Sequence, residues 1–280
     1  MTEPTTGWRQ LNLTCEHWQA AEEMALTQLR PLLTDAEDAG IITAWWFVRK
    51  GDTWRVRLRP ATPAFPDQIT TALMGQETVR TWSQTIYEPE THAFGGPTAM
   101  DIAHDLFHAD SLHLLDHLAH TDHDHRRELA TILATRLLRA AGQDRYEQGH
   151  CWAQLATHRT PAWKVTEPAP STITAVHRLI TATTDTAASP LHSAPTWIEA
   201  FEHAGRRLAD LAAHGTSPAD CAVYSPSTCC SCSTGTASVP PSSMCSPPQP
   251  AGSSSARRRP PRTRRPPTRP AAPTRLPSGR

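Results

Sequence analysis

The sequence predicts an α+β fold, in which a ferredoxin-like βαββαβ sheet layer is followed by a helical bundle. Three observations lead to this prediction. Residues 45–59 (WWFVRKGDTWRVRLR) have the pattern of a β-hairpin, a helical segment separates this hairpin from an earlier strand, and helical spacing takes over from Thr98 onward. The order of these elements along the chain favours a sheet layer built first and a bundle packed against it.

The hairpin is the most informative stretch. Its first strand is made of bulky strand formers, and Gly51 between Lys50 and Asp52 can take the positive φ of a tight turn. The return strand alternates strictly: one face receives Trp54, Val56 and Leu58, and the other receives Arg55, Arg57 and Arg59. Alternate residues place the guanidiniums about 7 Å apart. Two interpretations stay open at this point, a solvated outer face or an anion site, since an arginine fork matches carboxylate and phosphate geometry.

The remaining elements follow from apolar spacing. Residues 8–15 predict a first strand, and residues 16–38 predict a helix that Pro31 kinks or divides and that Gly40 ends. A helix over 68–75 and a strand over 79–87 complete the sheet layer. The predicted bundle consists of one helix marked by apolar residues from Ala99 to Leu118 and of helices over 124–141, 146–158, 172–183 and 197–214.

Charge is unevenly distributed along the chain. Residues 257–280 contain nine arginines and no acid, so removing them from 27 basic residues leaves 18 against 27 acidic ones, a net charge of about −9. An acidic body argues against direct nucleic-acid binding, which depends on phosphate neutralisation. The N-terminus carries no signal-peptide pattern, and no segment is apolar enough for a bilayer. We therefore expect a cytoplasmic protein without a membrane partner.

The tail is compositionally distinct. Residues 217–280 are rich in Pro, Ser, Cys and Arg and are expected to be disordered, so we divide the chain into a domain over 1–216 and a low-complexity tail over 217–280. The tail's crowded cysteines lack paired CxxC spacing. Reading the tail in a shifted frame with GC-rich codons gives an apolar, helix-like string. We hypothesise that the chain leaves its ancestral frame at about residue 217, the alternative being a native disordered tail.

Together with the hairpin, the stretch YEPETHAFGGPTAMDIAHDLFHADS, residues 87–111, resembles the small C-terminal domain of class I lantibiotic dehydratases, also called the thiopeptide-type bacteriocin biosynthesis domain. The resemblance runs from about Trp8 to Gly215. It implies a stand-alone lyase that eliminates glutamate from glutamylated Ser or Thr in a precursor peptide, leaving a dehydroamino acid. It implies as partners the precursor peptide and a separate glutamylating dehydratase protein, and it implies no cofactor; a homodimer is left open.

The resemblance also implies roles for the arginines. The family's Arg-x-Arg pair falls on Arg57 and Arg59, which we predict to be the catalytic contacts to glutamate or to the enolate. Additional substrate-binding candidates are Arg49, Arg55, Glu88, His92 and His104. The chain departs from the family twice: Pro89 stands where many members carry an arginine, and the family's late histidine falls in the altered tail.

Alternatives remain open. A pyridine-forming thiopeptide cyclase has the same fold, and a non-catalytic peptide-binding subunit or a decayed remnant would not need the late histidine. His104 and His108 are spaced i and i+4 on one helix face, as in a metal pair, but no third ligand is evident. We therefore predict no metal and expect a hydrogen-bonding role for them.

Overall fold

The computed structural model describes residues 7–62, 67–75, 77–120, 126–159, 167–181 and 194–214. Four strands form one antiparallel sheet: β1 (Arg9–Cys15), β2 (Ile42–Lys50), β3 (Thr53–Pro60) and β4 (Val79–Thr85). Their order across the sheet is β2-β3-β1-β4. This is the ferredoxin-like arrangement, so the predicted α+β fold class is confirmed.

The first helical segment is divided near Pro31, as predicted. It consists of α1 (Trp18–Met24), a π-helical stretch at Ala25–Leu29 and α2 (Arg30–Asp38). Proline has no N–H to donate to the preceding turn, and a π-helical stretch is one way to absorb the lost hydrogen bond. The chain then leaves α2 through Gly40, whose φ of 66° is readily accessible to glycine.

The hairpin has the predicted geometry. Gly51 takes a φ of 64° in the turn, and Trp54, Val56 and Leu58 are buried on one face of β3. After the hairpin, α3 (Asp67–Met74) leads to β4. The three arginines of β3 stand on the opposite face, where they are half-buried.

The bundle contains the five predicted helices. They are α4 (Pro97–His120), α5 (Arg126–Ala140), α6 (Arg145–Arg159), α7 (Pro170–Thr181) and α8 (Pro195–Ala213). Gly205 allows α8 to approach α5 closely, because a Cβ added there would lie 2.5 Å from the Leu137 carbonyl oxygen. No described helix has both the length and the apolar character that a membrane crossing requires.

Helix α4 lies along the outer edge of β2 and connects the two faces of the sheet. The Phe47 N–H donates to Ser111 Oγ at 3.2 Å, and His108 Nδ1 lies 2.9 Å from the Trp45 carbonyl oxygen. Side chains of α4 therefore satisfy backbone groups that an edge strand would otherwise expose. The same helix contributes to the large core on one sheet face and to a smaller cluster on the other. This aromatic cluster consists of Trp8, Ala44, Trp46, Tyr87, Met100, Ala103 and Phe107.

Two expectations lie outside the described residues. The predicted disordered tail, 217–280, falls entirely in the part of the chain that the structure does not describe, and so does the position expected for the late histidine. In the body, Cys15 and Cys151 are buried free thiols.

Candidate anion-binding site

Arg57 occupies the centre of the sheet face that carries the aromatic cluster. In the strand register it lies between Trp46 of β2 and Gln10 of β1. Its guanidinium carbon is 4.0 Å from the ring centroid of Trp46 and 4.5 Å from that of Tyr87. Its Nε donates to Gln10 Oε1 at 2.8 Å, and the Gln10 amide in turn donates to Thr85 Oγ1 at 3.0 Å. Two rings and one amide therefore fix this guanidinium.

Arg59 flanks the same cluster, whereas Arg55 lies farther along the strand. The guanidinium carbon of Arg59 is 5.6 Å from the ring centroid of Trp8, and its Nε donates to Thr43 Oγ1 at 2.7 Å. Arg55 pairs in register with Val48 and Asn12 and makes no described contact with an aromatic ring. The Arg-x-Arg pair is thus the part of the row that meets the aromatic cluster.

These cations have no protein counter-ion in the described part of the chain. No carboxylate lies within ion-pair distance of Arg55, Arg57 or Arg59 there. Burial, opposed by Tyr87 and Glu90 and reinforced by Arg55, lowers the pKa of Arg57 to about 10. Arg57 still carries its charge at neutral pH. A half-buried guanidinium without a carboxylate favours an anionic ligand.

Tyr87 and His104 form a buried hydrogen-bonded pair beside the arginines. Tyr87 Oη lies 2.9 Å from His104 Nε2. Burial lowers the pKa of His104 to about 4, and the charges of Arg59 and Arg57 act in the same direction. Burial also raises the pKa of Tyr87 to about 12. At neutral pH both groups are uncharged, and we assign the phenol as the donor because imidazole nitrogen is the better acceptor.

The aromatic cluster encloses this pair. His104 lies 4.8 Å, centroid to centroid, from Trp8, while Trp46 lies 5.7 Å from Tyr87 and 4.6 Å from Phe107. The cluster on this sheet face is buried, and it combines four aromatic side chains with Ala44, Met100 and Ala103. The arrangement can hold an anion against cationic nitrogens in a water-poor environment, where electrostatic interactions are stronger than in bulk water.

Four of the predicted substrate-binding residues are not brought to this cluster, and Arg55, on the arginine face but farther along β3, is one of them. Arg49 lies on the opposite sheet face, where it donates to Glu22 Oε2 at 2.8 Å in a buried group that includes Arg126. The side chains of Glu88 and His92 are exposed after β4. Their predicted role stays a prediction, while the Arg57–Arg59 pair and His104 lie together.

The two histidines of HDLFH have different partners. His104 contacts Tyr87, whereas His108 bonds to the Trp45 backbone and has Nε2 3.1 Å from Glu37 Oε1. Both side chains make hydrogen bonds within the protein, and the substrate-binding role predicted for His104 stays a prediction. Across the described ranges, no group of three or more His, Cys, Asp or Glu residues is arranged to hold a metal ion.

The sequence did not identify several residues of the candidate site. They are Gln10, Trp46, Tyr87, Glu90 and Trp8. A usable signal existed for Trp46, because alternation along β2 separates it from its neighbour Trp45 and places it on the arginine face. No such signal existed for Gln10, whose position depends on strand order.

The chain is similar to known proteins. Residues 8–232 match the family model described as "Lantibiotic biosynthesis dehydratase C-term". Among solved structures, the chain is similar to the tRNA-dependent lantibiotic dehydratase MibB from Microbispora sp. 107891, with a TM-score of 0.60 and 16% identity over 85% of this chain and 27% of that one. It also matches TsrL, with a TM-score of 0.47 and 15% identity over 74% of this chain and 67% of that one. No curated protein matches the sequence. The chain thus spans about a quarter of the dehydratase that it resembles.

Proposed function

Because the chain belongs to the lantibiotic biosynthesis dehydratase C-terminal family, and hence to ribosomal peptide biosynthesis, we propose that it binds a glutamylated precursor peptide and promotes elimination of glutamate. The observation that supports this most directly is Arg57, a fixed, half-buried guanidinium with no described carboxylate partner. A glutamyl ester of Ser or Thr carries one free carboxylate, which is the type of anion that such a group accepts.

The proposed reaction removes the proton from the α-carbon of the esterified residue. The electron pair left at that carbon forms the new Cα–Cβ double bond, and the Cβ–O bond to glutamate breaks, so glutamate leaves as its carboxylate. Negative charge develops first on the residue's carbonyl oxygen and then on the leaving carboxylate. Arg57 and Arg59 are the proposed contacts to glutamate, through its free carboxylate, or to the enolate oxygen, because fixed cations stabilise negative charge without reorganising.

We propose that His104 is not the base. A group whose burial lowers its pKa to about 4 accepts protons poorly at neutral pH, where an effective base has a pKa near 7. The resembled family uses a late histidine, and that position lies after His214, beyond the described residues. Accordingly, we propose that His104 positions Tyr87, and that the base is the family's late histidine where the ancestral frame is intact.

A second candidate is a non-catalytic peptide-binding subunit, which the sequence favours because it contains no histidine after His214. In that case the chain would bind the glutamylated peptide and leave the peptide's mass unchanged. We propose that the chain acts in the cytoplasm with a separate glutamylating protein, and a homodimer remains one candidate assembly.

The test is incubation of the purified chain, and of a version with the ancestral frame restored after residue 217, with a glutamylated Ser peptide. Loss of glutamate by mass spectrometry supports elimination, whereas release of a leader peptide would indicate the cyclase of the same fold. Binding without any mass change would indicate the non-catalytic subunit. Sequencing of independent reads checks the frame.

Substitution of Arg57 identifies the site. Removing a charge-assisted hydrogen bond costs about 1.5–3 kcal/mol, so Arg57→Ala should weaken peptide affinity or turnover about 10- to 150-fold. Arg55→Ala is the matched control, since it removes the neighbouring guanidinium from the same row but no aromatic contact. Equal effects of the two substitutions would remove Arg57 from the proposed site and leave only general electrostatic attraction.

A further inference from the structure

Trp46 is a site residue with an unexplained polar atom. It is 3% exposed and lies on β2 directly opposite Arg57 in the register. Its ring is covered on one side by the Arg57 guanidinium, 4.0 Å away, and is bordered by Tyr87 and Phe107. Every described ring or guanidinium in contact with it therefore belongs to the aromatic cluster of the candidate site.

The indole Nε1 of Trp46 is buried and has no hydrogen-bond partner among the residues that the structure describes. A buried donor without an acceptor costs free energy, and native proteins seldom retain one without a reason. Two other buried tryptophans follow the usual rule. Trp45 Nε1 donates to Glu37 Oε2 at 3.1 Å, and Trp197 Nε1 donates to Asp110 Oδ1 at 2.9 Å.

Neighbouring donors have already been taken up by the protein. The Tyr87 hydroxyl donates to His104, and the Nε atoms of Arg57 and Arg59 donate to side-chain oxygens. Two kinds of hydrogen-bond donor remain around Trp46, its own N–H and the terminal guanidinium nitrogens. Among the described residues, no carboxylate accepts from them. Such a surplus of donors is complementary to an oxyanion.

We propose that Trp46 is a further ligand-binding residue, whose indole N–H donates to an oxygen of the carboxylate held by Arg57. This inference rests on the proposed function, because it takes the free carboxylate of the glutamyl group as the ligand. The N–H is shielded from bulk water, so a hydrogen bond formed there would not compete with solvent. The residue would add a directional contact to the charge that Arg57 supplies.

The test removes the N–H and retains the ring. In one variant Trp46 is replaced by β-(3-benzothienyl)alanine, which has nearly the same shape and sulfur in place of N–H; Trp46→Phe is a second, genetically simple variant. The probe is a peptide with 2,3-diaminopropionate in place of Ser, because its glutamyl amide keeps the free carboxylate and is a poor leaving group. We expect affinity, measured by calorimetry, to fall about 10-fold while the unfolding midpoint of the benzothienyl variant is unchanged or higher.

Trp45→Phe is the matched control on the other sheet face. It removes the bond to Glu37, so we expect a lower unfolding midpoint with unchanged affinity for the probe. If Trp45→Phe lowered the affinity for the probe as much as the Trp46 variants do, the loss would come from weakened folding. The inference would then be wrong.

Arg57→Ala, measured with the same probe, distinguishes failure of this inference from failure of the proposed function. Weaker binding in both Arg57→Ala and the benzothienyl variant supports the inference. Weaker binding in Arg57→Ala alone means that the Trp46 N–H serves an internal water or nothing at all, which overturns the inference and leaves the proposed function intact. Unchanged binding in Arg57→Ala would overturn the proposed function and this inference together.

Discussion

Asp110→Asn should change how the free energy of unfolding depends on pH. The change can be calculated because Asp110 and a second residue of α4 have shifted pKa values. Asp110 is buried and accepts a hydrogen bond from Trp197 Nε1 at 2.9 Å. Burial raises its pKa from 3.8 to about 7, although the Trp197 hydrogen bond opposes the shift. On the same helix, burial and two arginines lower the pKa of His104 from 6.5 to about 4.

The two groups act on stability with opposite signs. Folded Asp110 holds its proton more tightly than the unfolded chain does, so its contribution is greatest at low pH and falls by about 2.5 kcal/mol between pH 5 and pH 8. Folded His104 holds its proton less tightly, so its contribution is complete above pH 6.5 and falls by about 2 kcal/mol between pH 8 and pH 5. In the natural chain these two contributions nearly cancel.

Asparagine retains an oxygen acceptor for Trp197 and does not titrate. We therefore expect the free energy of unfolding of Asp110→Asn to decrease by about 2 kcal/mol from pH 8 to pH 5, through His104, while that of the natural chain changes by less than about 1 kcal/mol from these two groups. Urea unfolding followed by tryptophan fluorescence at several pH values measures both. Parallel pH profiles for the two proteins would refute the assignment of Asp110, and His104→Gln should tilt the profile in the opposite direction.

Two further predictions concern packing and buried charge. Gly205→Ala should destabilise the fold by about 1–3 kcal/mol, because the added Cβ would lie 2.5 Å from the Leu137 carbonyl oxygen, whereas Gly149→Ala, with open space around it, should be neutral or stabilising in a thermal melt. Equal melting temperatures for the two variants would contradict the close approach of α5 and α8. Burial alone raises the pKa of Glu22, but its two arginine partners outweigh this and lower it, so Glu22→Ala should cost about 3–5 kcal/mol in chemical denaturation at pH 7. A loss within experimental error would mean that solvent already neutralises these arginines.

The order of elements was predictable because it depends on local patterns. Strict alternation in residues 54–59 identified β3, and Gly51 identified the turn. Pro31 predicted the division of the first helical segment because its missing N–H is a covalent property that packing cannot change. Helix ends were less well placed: α7 begins at Pro170, two residues before the predicted start, since terminal turns depend on their surroundings.

The site was predictable only in part. Arg57 and Arg59 could be singled out from alternation and from the family resemblance, and His104 lies beside them. Arg49 differs from Arg57 and Arg59 in the sheet face that it occupies. It belongs to the same hairpin, but it pairs with Trp54 in the register and so faces the other side of the sheet. Charge and nearness in sequence suggested a shared role, whereas the period of two in a strand separates them.

By itself, the sequence determined the secondary-structure elements, the hairpin register and the side of β3 that carries the arginines, because each depends on neighbours within a few residues. The tertiary structure alone decided that Gln10 would hold Arg57, that Tyr87 would meet His104, and that the Trp46 N–H would find no acceptor in the described part of the chain. Those contacts join residues far apart in the chain. They depend on β1 lying between β3 and β4 and on α4 following the edge of β2, and the packing of the whole sheet layer fixes both arrangements.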